Sequence, residues 1–267
     1  VLERRIFKNG VVYYASAKLD AVGVRHAFST RIGGISPAPF DSLNLGNPSG
    51  CDVQDDQNRI WGNYSRLTSS IGCGGEPPLR VHQVHGREVA CVEAGRAFDT
   101  GQRADALVSR DSQRVISVRT ADCVPVLLCS GDGRIVGAVH AGWRGIVAGI
   151  IPAAAGQMLD SAGAAGTILA AIGPCIGSGA FEVGSEVLEA FIDVFGDAAP
   201  IARTQDGKGT VDLRRAARMQ LLSSGLRESN IDSTDRCTVT HRDEFFSHRR
   251  EHGITGRMAA VIAANRS

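Results

Sequence analysis

Val126-Leu127-Leu128-Cys129-Ser130-Gly131-Asp132-Gly133-Arg134-Ile135-Val136-Gly137-Ala138-Val139-His140-Ala141-Gly142-Trp143-Arg144-Gly145 is the stretch on which the architecture turns. Two apolar β-like runs, 126–129 and 134–139, flank a Gly-Asp-Gly turn. A helical stretch is predicted over 145–159 directly after them. A strand that ends in His140, then small residues, then a helix aims a side chain into a cleft.

Upstream, short β-like runs are predicted over 79–84, 88–92, 106–109 and 115–119. Ile60, Tyr64, Leu67 and Ile71 give 55–71 helical spacing. Farther back, 4–7 and 11–15 read as a hairpin about Asn9-Gly10, and 24–29 alternates like a strand. Between them and the helix lies a loop, 31–50, rich in Gly, Pro, Ser and Asn; loops this long inside a domain are usually functional or disordered. Downstream follow an apolar strand over 167–172, helices over 186–195 and 213–222, a short strand over 237–240, a polar loop to Thr255, and a strand over 258–263. Strands and helices in this irregular order predict an α+β (mixed α/β) layered fold. No repeat or Pro/Ser linker divides the chain, so residues 1–267 read as a single domain.

The composition is that of an ordinary globular protein, with 21% charged residues and a net charge of +1. That balance carries no basic stripe of the kind nucleic-acid binders use. No apolar run is long enough to span a membrane. Val1 to Ser16 lacks an apolar signal-type core, and seven scattered Cys are no disulfide framework, so a cytoplasmic protein with reduced thiols is expected. A monomer or weak homodimer fits the charge balance.

Three segments carry chemistry: Val84-His85-Gly86, Ala121-Asp122-Cys123-Val124-Pro125 and Val139-His140-Ala141-Gly142. Two imidazoles and a thiolate make a three-donor set for a transition metal with one position open. In a strand, His85 would share a face with Val81 and Gln83, and His82 with Val84, so one of the two histidines joins such a site. Alternation does not choose between them. The gaps between the segments match no zinc-finger spacing, and a buried free Cys with two hydrogen-bonded core histidines explains the same letters.

The chain resembles the YfiH-type laccase-domain family, labelled multicopper polyphenol oxidases and later recognised as purine nucleoside phosphorylases. The resemblance runs over about 24–262. It rests on Ser29-Thr30-Arg31-Ile32-Gly33-Gly34, Ser42-Leu43-Asn44-Leu45-Gly46, Gln83-Val84-His85-Gly86, Ala104-Asp105-Ala106, Thr120-Ala121-Asp122-Cys123-Val124-Pro125, His140-Ala141-Gly142-Trp143-Arg144-Gly145, Ile172-Gly173-Pro174-Cys175 and Phe245-Phe246-Ser247-His248-Arg249-Arg250. It implies an α/β/β/α layered sandwich with mixed sheets, and zinc ligands at His85, Cys123 and His140, with copper as the other metal. His248 departs from the family's more frequent Tyr.

The resemblance also implies phosphorolysis of a purine nucleoside, with phosphate as the second small-molecule partner; an open zinc position equally suits hydrolytic deamination at a purine C6. Arg31 with Gly33-Gly34 could hold phosphate, Arg144 adds charge at a helix start, and Asn44 could bind ribose or base. Asp122 and Cys175 are the candidate catalytic groups. The plainer readings are a surface loop charge for Arg31, a turn carboxylate for Asp122 and a small buried residue for Cys175. Trp143 reads as a packing anchor. Three rivals share these residues: a copper polyphenol oxidase, a metal-free hydrolase using Cys123 and His140, and a scaffold whose zinc is closed by His82.

Overall fold

The computed structural model describes residues 1–162, 167–204 and 207–266. Its strands are β1 (Glu3–Ile6), β2 (Val12–Ala15), β3 (Arg25–Ser29), β4 (Val89–Val92), β5 (Ala106–Ser109), β6 (Ile116–Thr120), β7 (Val124–Ser130), β8 (Val136–Ala141), β9 (Ile168–Ile172), β10 (Glu182–Val183), β11 (Ile201–Arg203), β12 (Gly209–Val211), β13 (Ile231–Ser233) and β14 (Met258–Ala263). Its helices are α1 (Ala17–Asp20), α2 (Gln57–Ser70), α3 (Trp143–Ala148), α4 (Ile150–Ala162), α5 (Ser185–Phe195) and α6 (Leu213–Ser223). One sheet has the order β1-β2-β3-β14-β6 and is antiparallel throughout. The other large sheet, β13-β9-β7-β8-β5-β4, has an antiparallel centre and a parallel pair at each edge. A small sheet, β10-β12-β11, packs against α5.

Side-chain alternation builds the layers. On β7, Leu127 and Cys129 enter the space between the large sheets, where they meet Leu107, Val136, Phe28, Val118 and Ile262. Val126 and Leu128 point the other way, into a layer with Ile150, Ile151 and Ala154 of α4 and Ala217 and Leu221 of α6. On the far side, Ala259 and Val261 of β14 pack on Ile60, Tyr64 and Leu67 of α2. The result is the α/β/β/α sandwich. β7 and β14 are buried along their whole length because both of their faces are covered, which is why they read as unbroken apolar runs. Each buried Leu or Ile contributes about 1.5–3 kcal/mol over leaving it exposed. α2 starts where Asp56 accepts the N–H groups of Asn58 and Arg59 (2.8 and 3.2 Å).

The loop 31–50 has no regular element, yet it is held. Asn63 of α2 donates to Ser36 Oγ (2.9 Å) and to the carbonyls of Ser42 and Asn44 (3.2 and 2.9 Å), and accepts from Ile35 N–H (2.9 Å).

Three local expectations change, and four short strands go unforeseen. Residues 79–84 form no strand and make only two isolated bridges, Leu79 to Ile116 and His82 to Arg103. The helix expected over 145–159 starts earlier and is cut in two. Gly149, at φ +84°, ends α3 with its N–H on the carbonyls of Gly145 and Ile146. The stretch 237–240 is a turn carrying one bridge, Cys175 to Cys237. β10 to β13 are two or three residues long, too short for alternation to register. Among the described residues no helix is long and apolar enough to cross a membrane.

Candidate metal centre

β8 delivers His140 to the end of the six-stranded sheet, where its backbone N–H donates to the Asp105 carbonyl (2.8 Å). His140 Nδ1 lies 2.8 Å from Asp105 Oδ1. An ionised carboxylate can only accept, so Nδ1 carries a proton and Nε2 is the nitrogen that would be offered to a metal. Asp105 itself has no exposure to solvent. Its carboxylate also takes the N–H groups of Val84 (3.1 Å), His85 (2.9 Å) and Gly86 (2.7 Å). One buried side chain therefore orients the His140 ring and shapes the turn bearing His85. Burial pushes the Asp105 carboxyl up, but these hydrogen bonds and His140 outweigh it and hold the group below the usual carboxylate range. The turn needs that support, because His85 sits at φ +60°, a left-handed conformation that is strained for a residue with a side chain.

Cys123 is presented by a second tight turn. Asp122, at φ +90°, accepts Thr238 Oγ1 on Oδ1 (2.5 Å), Arg249 N–H on Oδ2 (2.7 Å) and Ile176 N–H on its carbonyl (2.9 Å). Both carboxylate oxygens are thus engaged in pinning the corner. β7 then begins with Val124 and Pro125.

These elements bring the ligand atoms of His85, Cys123 and His140 within 4.8 Å of one another. The two imidazoles stand edge to face with centroids 4.9 Å apart. Gly142 lies beneath them: a Cβ there would sit 2.9 Å from His85 Cδ2 and 3.0 Å from Cys123 Sγ. Its φ of −72° is open to any residue, so space alone demands glycine. Burial raises the Cys123 thiol, yet the two histidines more than compensate and bring it down to about 6. Burial lowers the His140 imidazole, but Cys123 and Asp105 lift it to about 9. A thiolate with two imidazoles is a soft, borderline donor set that suits zinc or copper. His85 is exposed, which leaves an open side. Among the described residues this is the one such group of three. His82 is not part of it.

The other candidates lie elsewhere in the local network. Arg31 pairs with Asp41 (3.1 Å) and Glu251 (3.5 Å), and stacks over Phe246. Asn44 is fully buried; it donates to Asp55 and accepts from Gly46 and Arg257 N–H. Arg144 is exposed and lies over Trp143 at 4.2 Å. Cys175 is fully buried in the apolar layer under the helices, where desolvation pushes its thiol up to about 12. Asp105 and Gly142 had no assigned role in the sequence. A carboxylate between two alanines ahead of an apolar run is the local signal for Asp105; its partners come from distant segments.

Fold and corner together define the class: a four-layer α/β/β/α protein with a Cys–bis-His group that could hold a metal at one end of its sheets. The family profile described as multi-copper polyphenol oxidoreductase laccase matches residues 25–265, and the chain belongs to that family. It is similar to the purine nucleoside phosphorylase YfiH of Shigella flexneri, with 41% identity over 242 residues, 90% of this chain and 93% of that protein. The purine nucleoside phosphorylase PA4543 of Pseudomonas aeruginosa is 38% identical over the same shares of each chain. YlmD from Geobacillus stearothermophilus, a solved structure, is similar with a TM-score of 0.86 and 30% identity, covering 98% of this chain and 99% of that one.

Proposed function

We propose that this protein is a zinc-dependent purine nucleoside phosphorylase acting on adenosine and inosine, with methylthioadenosine as a further substrate. The observation that carries the reading is the three-donor corner, open beside His85, in a chain that aligns over 90% of its length with a relative bearing that name. Zinc held by His85, Cys123 and His140 supplies Lewis acidity and fixed positive charge at its open side. Asp105 fixes the ring of His140 and the His85 turn, so the donors are pre-organised. Asp122 works by position, holding the Cys123 turn through both carboxylate oxygens. In the reaction a phosphate oxygen forms a bond to C1′ of the sugar. The bond from C1′ to the purine nitrogen breaks, its electron pair leaves with the base, and a proton from the phosphate ends on the departing ring.

The test is chromatography of adenosine and inosine incubated with zinc-loaded protein, with and without phosphate. Adenine and hypoxanthine that form only with phosphate support the reading. A deaminase side reaction belongs to it as well, and would give inosine from adenosine without phosphate. Neither product from fully loaded protein would sink it. The family description favours one second reading, a copper polyphenol oxidase. Laccase chemistry needs a histidine-rich trinuclear cluster beside a copper like this one, and the chain has seven His, with one three-donor group among the described residues. A polyphenol assay after reloading with zinc or with copper separates the two. Full activity after zinc removal would instead favour Cys123 as nucleophile with His140 as base.

A further inference from the structure

Beside the three donors stands positive charge that takes part in no ion pair among the described residues. Arg119 of β6 pairs in register with Ala259 of β14. Arg257 immediately precedes β14, two residues before Ala259, which makes the two arginines diagonal neighbours on one face at the edge of the ladder, with Cβ atoms within about 7–8 Å. Both are half-buried. None of the ion pairs among the described residues involves either one. Arg257 donates one nitrogen to the carbonyls of Thr255 and Gly256 (2.8 and 3.0 Å), which leaves the rest of its fork available. For Arg119 only the main chain is tied, to the Gln83 carboxamide (2.9 and 2.8 Å).

The pair is held open by the turn at residues 44–46. Asn44 Oδ1 accepts the N–H groups of Arg257 (2.9 Å) and Gly46 (3.1 Å), and Leu45 N–H donates to the Arg257 carbonyl (2.9 Å). Gly46 then abuts Arg119; a Cβ at Gly46 would lie 2.8 Å from Arg119 Cδ and 3.0 Å from its Nη1. From Arg119 the chain runs through Thr120, Ala121 and Asp122 to Cys123, and the pair it makes with Arg257 therefore lies at the end of the sheets that carries the donors; burial is the first influence on Arg257. After burial, the Arg119 charge depresses its basicity, and Cys123 and Asp122 act in the opposite direction. Arg80, stacked over Trp61 at 4.5 Å, adds to the repulsion felt by Arg119. Like charges held together away from water are unfavourable until an anion joins them. Two guanidinium forks match the oxygens of phosphate. The Arg31 charge, by contrast, already faces Asp41 and Glu251.

We propose that Arg119 and Arg257 form the phosphate subsite, gripping inorganic phosphate beside the His85–Cys123–His140 centre, with Asn44 and Gly46 holding the pair in place. The choice of phosphate as the anion rests on phosphorolysis being the reaction. The experiment titrates inorganic phosphate calorimetrically into zinc-loaded wild type, Arg119→Gln, Arg257→Gln and Arg257→Lys, alongside inosine phosphorolysis at varied phosphate. Each Gln variant should bind phosphate about 10- to 100-fold more weakly. KM for phosphate should rise while KM for inosine holds, and Arg257→Lys should fall between. Should a variant fail to fold, wild type alone serves: phenylglyoxal labelling of Arg119 and Arg257, read by peptide mass, should be blocked by phosphate. Unchanged phosphate binding in folded Gln variants, or labelling indifferent to phosphate, overturns the subsite. Phosphorolysis with phosphate KM untouched by the variants removes the subsite and leaves the reaction standing. Arginine-dependent phosphate binding in a protein without phosphorolysis does the reverse.

Discussion

Cys123 and Cys175 lie at the same end of the same sheet, one just before β7 and the other just after β9, which pairs antiparallel with it. At neutral pH the first favours the thiolate and the second the neutral thiol. Burial disfavours a thiolate at both. At Cys123 two imidazoles face the sulfur and bring the thiol down to about 6, while at Cys175 apolar surroundings push it up to about 12. The strands place both residues alike, and the groups opposite each sulfur decide what it can do. One is available to a metal and the other packs.

Replacing each cysteine tests this contrast most strongly. Cys123→Ala should lose its zinc and its turnover entirely, and Cys175→Ala should keep both; metal content per chain by mass spectrometry reads the difference. Zinc retained at full occupancy in Cys123→Ala would break the comparison. Asp105→Asn removes the charge that orients His140 and should weaken zinc binding about 10- to 100-fold, read by chelator competition. Gly142→Ala pushes a methyl group against His85 and Cys123, an overpacking of about 1–3 kcal/mol, and should weaken zinc binding roughly 5- to 100-fold with the fold intact by circular dichroism. Unaltered affinity there would show that the trio can shift.

The pH dependence sharpens the contrast further. In the metal-free protein the thiol titrates near 6 and His140 near 9. Between those values the pair holds one proton, which zinc must displace. Apparent zinc affinity should therefore rise about tenfold per pH unit from 6 to 9, flatten above 9 and fall more steeply below 6. A flat profile between pH 7 and 8.5 would contradict the thiolate–imidazolium pair. The smallest effect is on stability. Cys175→Ala leaves a small void in the layer under the helices and should lower Tm by about 2–4 °C, for a loss of about 1 kcal/mol.

Much of the fold was legible because its signals are local. The runs 106–109, 126–129, 134–139 and 258–263 alternate or stay apolar over a few residues, and each is a strand or lies within one, apart from the turn residues that open 134–139. The failures share a cause. Residues 79–84 have strand-like letters, but they bridge only at Leu79 and His82, and the Asp105 carboxylate takes the N–H groups of residues 84–86 and turns the chain there. The helix after His140 breaks at Gly149, where a left-handed glycine ends one turn set and lets α4 start in a new direction. Asn44, the candidate ligand for ribose or base, has its carboxamide hydrogen-bonded to Asp55, Gly46 and Arg257, partners that no local pattern names.

The sequence by itself determined the two-faced apolar strands, the positions of α2, α5 and α6 and the donor types at residues 85, 123 and 140, since periodicity and side-chain chemistry are carried within short windows. It left His82 and His85 equal until a family resemblance favoured one. Only the tertiary structure decided that His85 meets Cys123 and His140, that Asp105 holds two of the three in aim, and that Arg119 and Arg257 are neighbours outside every ion pair among the described residues. Those outcomes depend on segments far apart in the chain meeting at the end of two stacked sheets, where the field around a side chain is set by neighbours that no local pattern names.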